Sequence, residues 1–117
     1  MYFEGRELKN YAEPVPPEKL EENEICFSVH YVDNQLLIPE LEAVIFVGRN
    51  LRPQDTGLVY FQDIDSYRQG TRFGAPQGDA KGTFMCIEEQ DVSVYDYEHA
   101  LNLLLACSLR RKALGLK

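Results

Sequence analysis

No Cys-x-x-Cys pair occurs in this chain, and its three cysteines, Cys26, Cys86 and Cys107, are odd in number and far apart. Each sits in an apolar run, where a thiol behaves as a small buried hydrophobe. A disulfide scaffold is therefore excluded, and a reducing, cytoplasmic setting is expected. The opening residues Met1-Tyr2-Phe3-Glu4-Gly5-Arg6-Glu7 lack the basic and then apolar stretch of a secretory leader, so none is expected. Long hydrophobic runs are missing too: the longest uncharged apolar-rich stretch, near 99–109, is too short to span a bilayer. Positive charge is scarce. Twelve Lys and Arg face 19 Asp and Glu, a formal net charge of −7. Such a field repels phosphates and anionic lipid, so neither nucleic acid nor a membrane is an expected partner.

Catalytic signatures are equally thin. There is no Gly-x-Ser-x-Gly elbow, no His-Glu-x-x-His and no dinucleotide fingerprint. The glycine-rich run Gly74–Gly82 lacks the order of a phosphate loop, because Lys81 precedes Gly82 and Thr83 opens a strand. A catalytic role and a cofactor are not expected.

What remains is an ordinary globular composition, 117 residues with 44% hydrophobic and 26% charged side chains, enough for one domain and one core. Residues 1–23 read as an irregular segment. Glu13-Pro14-Val15-Pro16-Pro17 blocks regular structure, Glu18–Asn23 offers at most one helical turn, and Tyr2-Phe3 fits a short edge strand. From Glu24 to Val32 the apolar residues alternate with period two, a strand. Leu36-Leu37-Ile38, stopped by Pro39, is a short return segment or packed loop. Leu41–Val47 is a denser apolar run, which marks a central strand covered on both faces. Leu58–Gln62 and Thr83–Ile87 complete the strands, with a long, glycine-punctuated loop at 66–82 between them.

Residues 93–114 read as a helix. Ser93-Val94-Tyr95-Asp96 fits a capping box, Asp96 is an alternative N-cap, and Gly115 fits the C′ position. Tyr97, Ala100, Leu101, Leu103, Leu104, Leu105 and Cys107 cover about 200° of the wheel, twice the stripe a surface helix needs. The helix should therefore be buried on more than one side, between the sheet and either the N-terminal segment or a second copy. Strands joined by gaps too short for crossover helices, then one terminal helix, imply an α+β fold. The expected form is an antiparallel sheet of four to five strands (24–88) with the C-terminal helix packed on one face.

Three constellations could carry function. Asp63 and Asp65, two apart at a strand end, would project together at the mouth of the long loop. Paired carboxylates suit Mg²⁺ or Ca²⁺, or a raised pKa for acid chemistry, and Tyr67, Arg68 and Arg72 beside them suit an anionic ligand. The plainer reading makes the acids turn formers and the arginines surface partners. Cys26, Ser28 and His30 share one strand face, a Cys-x-Ser-x-His stripe that zinc could use only if Cys86 or another ligand joined; a nucleophilic Cys–His pair fits the same geometry, but the apolar neighbours argue for an inert buried thiol. His99 falls on the polar helix side. Third, Tyr97, Leu101, Leu104 and Leu105, with the basic residues Arg110 and Arg111, form a contact surface on an otherwise acidic body.

The leading expectation is a non-enzymatic binding or regulatory protein that self-associates through this helix. A metal-assisted hydrolase or anion-binding domain centred on Asp63 and Asp65 is the alternative. An acidic inhibitor that presents Glu18, Glu21, Glu22 and Glu24 to a basic partner is a further one.

Overall fold

A computed structural model describes residues 1–2, 4–5, 7, 9, 11–74 and 84–117. Its five strands are β1 (Ile25–Tyr31), β2 (Pro39–Arg49), β3 (Leu58–Asp63), β4 (Phe84–Glu88) and β5 (Val94–Tyr95). A five-residue helix, α1 (Ile64–Arg68), follows β3, and the long helix α2 (Tyr97–Ala113) follows β5. The sheet order is β4-β3-β2-β1-β5 and every pairing is antiparallel, so the fold is α+β. The first four strands form a meander. The chain then crosses back to lay β5 along β1, where Phe27 faces Tyr95 and Ser28 faces Val94.

Register assigns the two faces. Cys26 opposite Val44, Phe46 opposite Phe61 and Val59 opposite Ile87 place one apolar set together. With Val94 they form the main core, closed by Leu20 and Val92 and flanked by Val15. The irregular N-terminal segment is thus a lid on this face. Its hold is polar as well: Val15 N–H donates to Val94 C=O at 2.8 Å, and the Arg49 guanidinium donates to the Pro17 and Leu20 carbonyls. A short 3-10 turn at Pro17–Lys19 is the one turn of helix that Glu18–Asn23 offered.

The opposite face carries Phe27, Ile45, Tyr60 and Gln62, and α2 packs over its β1 side. Phe27 meets Tyr97 edge to face at 4.8 Å. Val44, Ile45 and Phe46 are all buried, as a central strand between two covered faces requires. At Val47 the β2–β3 register shifts, and Gly48 adopts φ +153, where a Cβ would stand 2.7 Å from Leu51. This bulge needs its glycine.

Three segments differ from expectation. The helix starts at Tyr97, not at residue 93, because Val94 and Tyr95 are drawn into the sheet by β1. Residues 66–68 of the expected long loop are helical. Residues 75–82 of that loop, and Phe3 of the suggested edge strand, lie outside the described residues, and Tyr2 is fully exposed and in no strand. Leu36–Ile38, by contrast, is the packed loop of the two readings, with Leu37 buried. Asp33 fixes it by accepting from Leu37 N–H (3.0 Å) and Ile38 N–H (2.9 Å), and β2 begins at Pro39, a strand's first residue, where proline is tolerated.

The end of α2 is a Schellman motif. Gly115, at φ +73, donates to Lys112 C=O at 3.0 Å and Leu116 donates to Arg111 C=O at 2.9 Å. Among the described residues no helix is long and apolar enough to cross a membrane.

Candidate functional site

Asp63 is the last residue of β3 and the N-cap of α1. Ser66 supplies both donors to its carboxylate, the backbone N–H at 2.9 Å and the hydroxyl at 2.7 Å. Those bonds, the side-chain one first, hold the Asp63 carboxyl below its ordinary value. Asp65 has turned into the first helical turn and is exposed, so the two carboxylates do not project together from a strand end as the alternation suggested. Tyr67 and Arg72 do come together. The Arg72 guanidinium lies 3.8 Å from the Tyr67 ring centre and donates to the Tyr67 and Thr71 carbonyls. Arg68 is exposed.

Gln62, which the sequence did not single out, organises this corner. It is buried, and its Nε2 donates to Ser66 Oγ at 3.0 Å and to Thr71 C=O at 2.8 Å, while Oε1 has no partner among the described residues. Beside it Phe73 packs edge-on between Tyr60 and Phe84. The Tyr60 hydroxyl donates to Asp55, which holds the phenol above its usual range, with burial adding to the rise. These contacts build a supported corner for α1.

The Cys-x-Ser-x-His stripe is divided. Cys26 is buried in the main core, and burial pushes its thiol up to about 12. His30 is exposed and pairs with Glu40 at 2.7 Å. Cys86 sits on β4, separated from β1 by two strands, and cannot join them. Cys107 lies on α2, so the three thiols are free and apart. Among the described residues no three His, Cys, Asp or Glu side chains are grouped to hold a metal ion.

The helix surface is where residues converge. Ala100, Leu103, Ala106 and Cys107 face inward. At 100° per residue, Leu101 and Leu105 fall about 150° to 170° from the centre of that face, with Tyr97 and Leu109 about 110° and 130° away at the two ends of the stripe. Tyr97 is 63% exposed, Leu101 55%, Leu105 45% and Leu109 53%, and Leu104 at the stripe's edge is half-buried. Asp96 caps the helix, accepting from His99 N–H and pairing with the His99 ring, both at 2.8 Å. At the other end Arg110 is not free for a partner. It donates to Leu36 C=O at 3.0 Å and to the Cys107 sulfur at 3.4 Å, fastening α2 to the β1–β2 turn. Arg111 folds back onto the Lys117 carbonyl.

Alongside the exposed stripe runs the N-terminal segment. Lys9 N–H donates to Asn102 Oδ1 at 3.2 Å, and Asn102 Nδ2 returns a bond to Lys9 C=O at 3.0 Å. One amide side chain thus satisfies both backbone groups of Lys9 in the manner of a strand neighbour. Between segment and helix opens a groove of about 840 Å³. Its apolar lining includes Tyr11, Tyr97, Leu101 and Leu105. Among the described residues four acids line it, Glu4, Glu7, Glu13 and Glu98, with one lysine, Lys9.

Compared with known protein families, curated proteins and solved structures, the chain matches none. Asn102 could have been noticed as the polar residue beside the apolar stripe, but its partner Lys9 lies 93 positions away and no local pattern links them.

Proposed function

We propose that this protein is a non-enzymatic binding or regulatory protein that self-associates, with the outer face of α2 as its contact surface. The row Tyr97, Leu101, Leu105, Leu109 carries the reading: four large apolar side chains, each about half exposed or more, on successive turns of the helix, the three leucines turned away from the sheet and Tyr97 also meeting Phe27 at its border. Contiguous apolar surface of this kind marks an interaction site more often than chance exposure does, whereas isolated exposed leucines need no explanation. A homodimer places the same stripe on both partners, so each covers the other and the assembly closes. The carboxylate corner supports a structural role instead, since both Asp63 oxygens are occupied by Ser66.

Sedimentation equilibrium from about 1 to 100 μM tests this, since mass action populates a dimer as concentration rises. The wild-type chain should reach twice its 13.4 kDa mass, and Leu101→Glu/Leu105→Glu should stay monomeric with an unchanged far-ultraviolet spectrum. A wild-type chain that remains monomeric throughout would sink the reading.

A further inference from the structure

The groove and the far end of α2 are complementary in two independent respects. Residues 109–117 carry Arg111, Lys112 and Lys117 beside the committed Arg110 and have no acidic side chain, while among the described residues the groove is lined by four glutamates and one lysine. The same end also shows uncovered apolar side chains: Leu109, Leu114 (60% exposed) and Leu116 (44%). It is ordered, because the Schellman bonds and the Arg111 contact to Lys117 fold it against the helix. A preformed apolar knob with a cationic rim loses little freedom on docking.

We infer that the groove of one copy receives residues 109–117 of a second copy, with the two α2 helices antiparallel about a two-fold axis near Leu105. This rests on the self-association proposed above and names its geometry. A 17-residue helix is about 25 Å long, and an antiparallel pairing centred on Leu105 sets Leu101 against the partner copy's residue 109 and Tyr97 against its residue 113. The tail beyond 113 then reaches the groove's acidic wall near Glu13 and Glu98, and symmetry makes every such contact twice. A parallel pairing would instead bring acid to acid and base to base. Charge complementarity therefore selects both the occupant and its direction.

Charge reversal with rescue tests it on the full chain by sedimentation equilibrium. Lys112→Glu should weaken the dimer by at least about tenfold, Glu7→Lys/Glu13→Lys by a similar factor, and the combined triple variant should return to within about threefold of wild type. Thermal melts of each variant show that the fold is kept. A Lys112→Glu dimer within about twofold of wild type, or a triple variant that does not recover, overturns the proposed pairing. If Leu101→Glu/Leu105→Glu breaks the dimer while the charge reversals do nothing, self-association stands and the tail is not the occupant. If the wild type is monomeric, both readings fall.

Discussion

Asp63 shows how a carboxylate in a ligand-like pattern becomes a cap. In Asp63-Ile64-Asp65-Ser66 the spacing that suggests paired metal ligands is also that of an N-cap followed by a residue whose N–H and hydroxyl can return to it. The second arrangement wins because both bonds form within one turn, without an ion. Asp33 and Asp96 repeat the device. Partial burial pulls both carboxyls upward, but backbone donors, Ile38 and Leu37 for one and His99 for the other, outweigh it and leave both below the ordinary value. The sign for stability follows. A carboxyl depressed in the folded state stabilises the fold above its unfolded pKa, near 4, and that contribution is lost as pH falls through the folded value. Asp63→Ala should therefore lower stability at pH 7 by about 1 kcal/mol, the usual worth of a cap. The gap between variant and wild type should close between about pH 5 and pH 2. Urea unfolding across that range checks it, and a gap that persists at the acid end would mean the carboxylate charge is not what caps α1.

At the scale of elements, the strands legible in the sequence were those whose own side chains carry the period. The alternation from Ile25 to Tyr31 and the dense run through Phe46 mark strands that the sheet has there, although in β1 the buried residue is Cys26, on the face opposite Ile25 and Phe27. What could not be read is what depends on distant partners. β5 is two residues long and exists because Phe27 and Ser28 offer an open edge to Val94 and Tyr95. Helix α1 has too few apolar residues for a period, and its signal was the cap alone. The expectation that α2 is covered on more than one side is met in part: the sheet takes one side, and residues of the N-terminal segment border another. Of the expected contact residues, Tyr97, Leu101 and Leu105 line the groove together, while Arg110 is committed to the β1–β2 turn. The N-terminal segment hangs on separate anchors, Val15 at β5 and Asn102 at Lys9. Asn102→Ala should free the stretch before Val15 without disturbing the core. Trypsin cleavage after Lys9 should then accelerate several-fold while the melting temperature moves by less than about 2 °C. Cleavage at the wild-type rate would show that the paired bonds to Asn102 do not hold the segment.

For the whole molecule, net charge and local charge act against each other. Each copy carries −7, and the shorter dimensions of the body are 31 and 28 Å, so centres in a side-by-side pair are separated by about that length. Treated as point charges at that distance in water, the pair repels by about 3 kcal/mol at 10 mM salt, where the Debye length is 30 Å. At 150 mM the same repulsion falls to about 0.2 kcal/mol. Contacts between a lysine and a glutamate at about 4 Å lose less than half their strength over that change, because the separation is short against either screening length. Affinity should therefore rise as salt is raised from about 10 to 150 mM, then fall toward 1 M as the contact pairs are screened in turn. In Lys112→Glu the net charge becomes more negative and a favourable contact is lost, so its affinity should rise with salt throughout and show no maximum. Sedimentation equilibrium at four or five salt concentrations separates the cases. A wild-type affinity that climbs steadily to 1 M would leave the apolar stripe as the whole interface and remove the charged groove from it.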